Sequence, residues 1–139
     1  MTKEANKLLF NRYFSEGTNK GDLSVVEEAF DTNYAHHDPA ALDVIVGLEG
    51  VKGHILTLRA AFPDLAFHVQ GFVSEDTEIV VRWTATGTHG GDYFGIPPTG
   101  KTFSITGMNY WRIGNNGKAV EGWVSRDDMG LMRQLGLMG

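Results

Sequence analysis

The chain contains no cysteine, which excludes disulfides, thiolate nucleophiles and cysteine-ligated zinc. It also lacks any run of about 18 apolar residues able to span a bilayer. The opening Met-Thr-Lys-Glu-Ala-Asn-Lys has no apolar stretch of the kind a secretory signal needs. Positive charge is scarce: 12 Lys and Arg stand against 17 Asp and Glu, a net charge of −5. Without a dense basic run to neutralise phosphates, neither nucleic acid nor an anionic membrane is expected as a partner. A cytoplasmic protein follows as the expectation. With 139 residues, 42% of them hydrophobic, residues 1–139 are expected to form one domain with a sizeable core.

Residues 95–102, Gly-Ile-Pro-Pro-Thr-Gly-Lys-Thr, satisfy the letters of a phosphate-binding P-loop. Such a loop works by offering consecutive backbone N–H groups and then opening into a helix. Pro97 and Pro98 remove two of those donors. The residues after Lys101 are rich in β-branched and aromatic side chains and read as a strand. The segment is therefore expected to be a structural loop between two strands.

The hydrophobic period changes once along the chain. Residues 3–16 place Leu8, Leu9, Phe10, Tyr13 and Phe14 at helical spacing, with Gly17 where a cap belongs. Asp22 precedes a second short helix carrying Val25, Val26, Ala29 and Phe30. Residues 48–61 form a third, with Val51, Ile55, Leu58 and Phe62 on one face. From Leu65 the period becomes two, across about 65–74, 77–89, 101–113 and 117–125, and residues 114–117 supply a hairpin turn. Helices followed by an antiparallel sheet define an α+β class.

Within the sheet, Ile79, Val81, Trp83 and Ala85 share one face of their strand, and Phe103, Ile105, Gly107, Asn109 and Trp111 share one face of the next. If the helices cover one side of a curved sheet, a cone-shaped cavity lies between the layers; the alternative is that the aromatics fill a core. Spacing gives no metal site. His36 and His37 are neighbours in a strand, so they point to opposite faces, and no H-E-x-x-H pair occurs. There is no G-x-S-x-G nucleophile elbow either. His54 and His68 read as exposed.

Several segments occur in an order that carries a family resemblance: Tyr-Ala-His-His-Asp-Pro at 34–39, Ala-Phe-Pro-Asp-Leu at 61–65, and Val-Arg-Trp-Thr-Ala-Thr-Gly-Thr-His at 81–89. They continue with Phe-Gly-Ile-Pro-Pro-Thr-Gly at 94–100, Gly-Lys-Ala-Val-Glu-Gly-Trp at 117–123 and Gly-Leu-Met-Arg-Gln-Leu-Gly at 130–136. Together they resemble the SnoaL-like polyketide cyclases of the nuclear-transport-factor-2-like superfamily. The resemblance implies a curved antiparallel sheet and N-terminal helices forming a cone-shaped barrel around an apolar cavity. It also implies cofactor-independent, metal-free intramolecular aldol condensation on a hydrophobic, carbonyl-bearing substrate. The partner would be a small hydrophobic or polycyclic ligand, and the assembly a homodimer or higher homo-oligomer.

By the same resemblance Asp127 is the acid/base, His37 a helper at the cavity mouth, and Phe14, Tyr34, Trp83, Asn109 and Trp111 are wall residues. The residues themselves leave Asp127 open to a second role. Ser-Arg-Asp-Asp at 125–128 fits the opening of a C-terminal helix at about 126–136, with Asp128 as the expected cap. His37 could instead hold the Asp38-Pro39 turn, and His89 could hold the 95–100 loop. Gly122 and Val124 stand where many relatives carry polar groups, which favours a non-catalytic binding protein; an isomerase or epoxide hydrolase is a further alternative.

Overall fold

A computed structural model describes residues 2–41 and 43–138. Helix α1 (Lys3–Arg12) is capped by Thr2 and continues as a wide π-helical stretch, Tyr13–Thr18. The expected helix over 3–16 thus changes pitch at Tyr13. Thr18 Oγ1 donates to the Phe14 carbonyl at 2.9 Å inside that stretch, and the wider turn carries Tyr13, Phe14 and Thr18 toward the interior, a common use of π geometry. Then come α2 (Ser24–Ala29), β1 (Phe30–His37), β2 (Ile45–Val46) and α3 (Gly47–Ala61). The remainder is β3 (Ala66–Ser74), β4 (Glu78–Thr88), β5 (Thr102–Ile113), β6 (Ala119–Arg126) and α4 (Asp128–Gln134).

The fold is α+β, a curved sheet with the N-terminal helices against one side. Its six strands run in the order β2-β1-β6-β5-β4-β3. One pairing departs from the antiparallel expectation: β1 lies parallel to β6, with His36 opposite Gly122 and His37 opposite Trp123. Turn signals report only strands that are neighbours in the chain, and this pairing joins segments far apart in sequence.

The alternation expected for β4 and β5 holds. Ile79, Val81, Trp83 and Ala85 are buried, as are Phe103, Ile105, Asn109 and Trp111, while Arg82, Ser104, Thr106 and Met108 face outward. The two strands pair along their full length, from Glu78 opposite Arg112 to Thr88 opposite Thr102. Gly107 is required by this packing, because a Cβ there would lie 2.3 Å from the Trp83 ring.

Residues 95–101 lie in a loop between β4 and β5, and the last residue of the motif, Thr102, opens a strand and not a helix. Tyr93 and Ile96 exchange backbone hydrogen bonds at 3.0 Å, and Gly100 N–H donates to the His89 carbonyl at 2.9 Å. His89 is fully buried, and its Nδ1 accepts from the Thr99 N–H at 3.3 Å. That contact supports the loop-holding role expected of His89.

Candidate active site

Between the helices and the inner face of the sheet lies a chamber of about 80 Å³. The π stretch contributes Phe14 and Thr18, α3 contributes His54 and Leu58, and the sheet contributes Trp83, Asn109 and Val124. A wider cleft of about 680 Å³ shares His54, Leu58, Tyr93 and Arg126 with it, so those four residues stand where the two spaces meet. Phe94 borders the cleft with a left-handed backbone (φ 48°), a conformation that costs free energy for a non-glycine residue.

The chamber is mostly apolar, and its polar groups have defined states. Trp83 Nε1 donates to Asn109 Oδ1 at 2.7 Å. An indole offers only a donor, so the amide oxygen must face it, and both Nδ2 hydrogens of Asn109 remain without a protein partner among the described residues. His36 is buried, and burial first, with repulsion from His54 when that ring is protonated second, pulls its pKa down to about 4. Burial likewise lowers His54, with Arg126 acting in the same direction and Asp38 opposing. Both imidazoles are therefore neutral at pH 7. His54 is half-buried and has no hydrogen-bond partner among the described residues.

Arg126 closes this end of the chamber. Its Nη2 donates to Asp38 Oδ2 and its Nε to Asp128 Oδ1, each at 2.8 Å. Burial opposes its charge, but the two carboxylates outweigh that cost and raise its pKa, so the guanidinium stays cationic. Tyr93 is pushed up, chiefly by burial, and remains a neutral phenol.

Phe14, Trp83 and Asn109 line the chamber as expected of wall residues. Tyr34 and Trp111 do not. They border a smaller void of about 20 Å³ behind His36, where the Trp111 ring packs on Phe10 at 4.7 Å. His37 lies on the other side of the sheet. It stacks on Trp123 at 5.2 Å, pairs with Glu121 at 2.8 Å and borders a shallow surface depression. Strand alternation puts His36, its neighbour, on the inside.

Asp127 is exposed at the end of β6 and caps α4: its Oδ1 accepts from the Gly130 N–H at 2.8 Å. Asp128, the expected cap, instead pairs with Arg126. No Asp or Glu lines the inner chamber among the described residues. His54, read from sequence as exposed, is the reverse case. It sits three residues after Val51 and four before Leu58, on the buried stripe of α3, and that spacing was the available signal.

Gly122 also has a structural reason. A Cβ there would fall 2.1 Å from the Tyr34 hydroxyl and 2.5 Å from the Trp111 ring, so glycine is what lets Tyr34 reach between β1 and β6. Gly122→Ala is expected to cost about 1–3 kcal/mol through overpacking. Gly53, with nothing within 4 Å of a built Cβ, is the control, and Gly53→Ala should be neutral or stabilising. Urea denaturation midpoints of the two variants check this.

The comparisons agree with this geometry. A model of the family described as SnoaL-like polyketide cyclase matches residues 8–135. The solved structure of TsrD from Streptomyces laurentii is 27% identical, covers 99% of each chain and superposes with a TM-score of 0.88. IdmH, a candidate polyketide cyclase from Streptomyces antibioticus, is 30% identical over 94% of this chain and 98% of its own, with a TM-score of 0.80. A SnoaL-like candidate cyclase from Jannaschia sp. CCS1, at 21% identity, covers 99% of this chain and 95% of its own and shows the same fold with a TM-score of 0.89. Among curated proteins none matches. With the family pattern running through nearly all of the helices and the sheet that enclose the chamber, the chain belongs to the SnoaL-like polyketide cyclase family.

Proposed function

We propose that the protein catalyses a cofactor-independent intramolecular aldol cyclisation of a small, hydrophobic, carbonyl-bearing substrate. The observation that carries this reading is an apolar chamber holding one unpartnered neutral imidazole, His54, and one amide with two free donors, Asn109. An aldol closure needs a base, a few hydrogen bonds and a shape that folds the chain onto itself. His54 takes the α-proton, and the C–H electron pair moves onto the carbonyl oxygen as an enolate. Asn109 Nδ2–H stabilises that oxygen, and the Arg126 charge favours it from the chamber mouth. The enolate carbon attacks the second carbonyl carbon, and the new alkoxide recovers the proton from the His54 imidazolium, so no proton is gained or lost overall.

Size divides the two spaces. The inner chamber accommodates the reacting carbonyls, and the apolar cleft bordered by Phe94, Ile96 and Met132 takes the rest of a larger or polycyclic substrate. This reading extends to self-association. Met108, Trp123 and Val73 are exposed large hydrophobics, and Met108 and Trp123 lie on the outer sheet face. Sedimentation at the monomer mass alone would remove that part.

The test is turnover of an aryl poly-β-ketoester, followed by loss of its enol absorbance, in wild type, Asp127→Asn and Asp127→Ala. Asparagine keeps the cap, so Asp127→Asn is expected within about twofold of wild type, while Asp127→Ala loses about 1 kcal/mol of stability. If Asp127→Asn instead binds normally but loses most of the rate, the acid/base is Asp127 and not His54. That no Asp or Glu lines the chamber among the described residues favours one second reading, a binding protein that keeps the cavity without the chemistry. Tight binding of the ester with no turnover by wild type would select it.

A further inference from the structure

We propose that Trp111 and Tyr34 form a hydrogen-bond relay that fixes His36 in its Nε2–H tautomer, making His36 the donor to a substrate carbonyl and Tyr34 a positioning residue. This rests on the cyclase reading for the identity of the acceptor, but the tautomer itself does not.

Donor and acceptor counts fix the arrangement. Trp111 Nε1 lies 2.9 Å from the Tyr34 hydroxyl oxygen. Indole nitrogen only donates, so the Tyr34 oxygen accepts from it. The same oxygen lies 2.7 Å from His36 Nδ1. Tyr34 has a single hydrogen, it is 1% exposed, and His36 Nδ1 is the acceptor within hydrogen-bond distance of it. If Nδ1 carried the proton instead, the Tyr34 oxygen would accept twice and its own O–H would be buried unsatisfied, at a cost of about 1–3 kcal/mol. That range corresponds to roughly a five- to 150-fold preference for a bare Nδ1. The neutral ring must then hold its proton on Nε2.

Position gives the proton a use. His36 borders the inner chamber and Tyr34 does not, so the edge committed to Tyr34 lies behind the wall and the Nε2 edge is left to the chamber. The His54 ring stands 6.2 Å away, centre to centre. One imidazole thus has its outward nitrogen protonated by construction, while the other is free to be the base. Gly122 opposite His36 is what leaves room for the relay. Two chemically identical side chains therefore divide the work of polarising a carbonyl and moving a proton.

The deciding experiment is a long-range ¹H–¹⁵N spectrum of histidine-labelled protein at pH 7, with His36 assigned from its loss in His36→Gln. The expected pattern is a protonated Nε2 and a bare Nδ1. A protonated Nδ1 in wild type overturns the relay, and this spectrum is read without substrate, so failure of the cyclase reading does not affect it. Tyr34→Phe is expected to move His36 toward an average of both tautomers; an unchanged spectrum overturns the role of Tyr34. With the ester substrate, the same variant should lose about tenfold or more in kcat with KM within about twofold, since a donor used in the transition state is disturbed. A displaced tautomer with unchanged kcat overturns the donor role while leaving the relay in place.

Discussion

Replacing His54 with glutamine is expected to lower turnover by about 10²- to 10⁴-fold, the range a positioned general base contributes. Glutamine approximates the size of the imidazole but does not titrate, so the chamber keeps its volume and loses its proton acceptor. The fold should tolerate the change, because His54 makes no hydrogen bond among the described residues that would be orphaned by it. KM should move little, since the apolar walls, Phe14 and Trp83 among them, hold the substrate in both proteins. A pH profile gives the second readout. Burial lowers the His54 pKa below the ordinary 6.5, so activity in wild type should fall only as pH drops under that value. The acid limb should vanish in His54→Gln together with most of the rate. Turnover within about threefold of wild type, with the limb intact, would move the base elsewhere.

His54 lies on the buried stripe of α3, which single-residue polarity does not reveal. Alternation in β4 and β5 was legible because the inner and outer faces of a strand are set by local geometry, and Trp83 and Asn109 fell on the predicted side. The two prolines and the strand after Lys101 sufficed to reject a phosphate loop. His36 and His37 were correctly put on opposite faces, but which face was inner depends on β1 lying beside β6, a pairing between distant segments. Gly122 looked like a missing functional group for the same reason: its neighbours Tyr34 and Trp111 come from elsewhere in the chain. Of the two roles open to Asp127, only the cap is written in local sequence, and its carboxylate is seated over the Gly130 N–H; the acid/base role comes from the resemblance alone. Tyr34 and Trp111, expected as wall residues, stand one layer behind the chamber, a depth that strand alternation does not report.

Acid should destabilise the protein well before its carboxylates are protonated, and the chamber is the cause. His36 titrates near 6.5 when unfolded and at about 4 when folded. Between those values the unfolded chain binds the extra proton, so stability rises with pH through the window and is lost as pH falls from 6.5 toward 4. The interval corresponds to about 3 kcal/mol, a large share of the roughly 5–15 kcal/mol that holds a domain folded. His54 is lowered as well and adds in the same direction. The charges facing His36 bear unequally on it: His54, Arg126 and His37 lower its pKa further, and Asp38 pulls the other way. Asp22 and Asp64, also held below the ordinary carboxylate range, act in the same direction but lose their contribution only at lower pH. Urea denaturation at pH 7 and pH 4.5 should therefore show a drop of about 2–3 kcal/mol in wild type. His36→Gln should start from a lower stability at pH 7, because the Tyr34 contact is altered, and should show a much flatter dependence. An equal slope in the two proteins would mean that the imidazole is hydrated in the folded state, which would also remove the dry chamber on which the cyclisation chemistry depends.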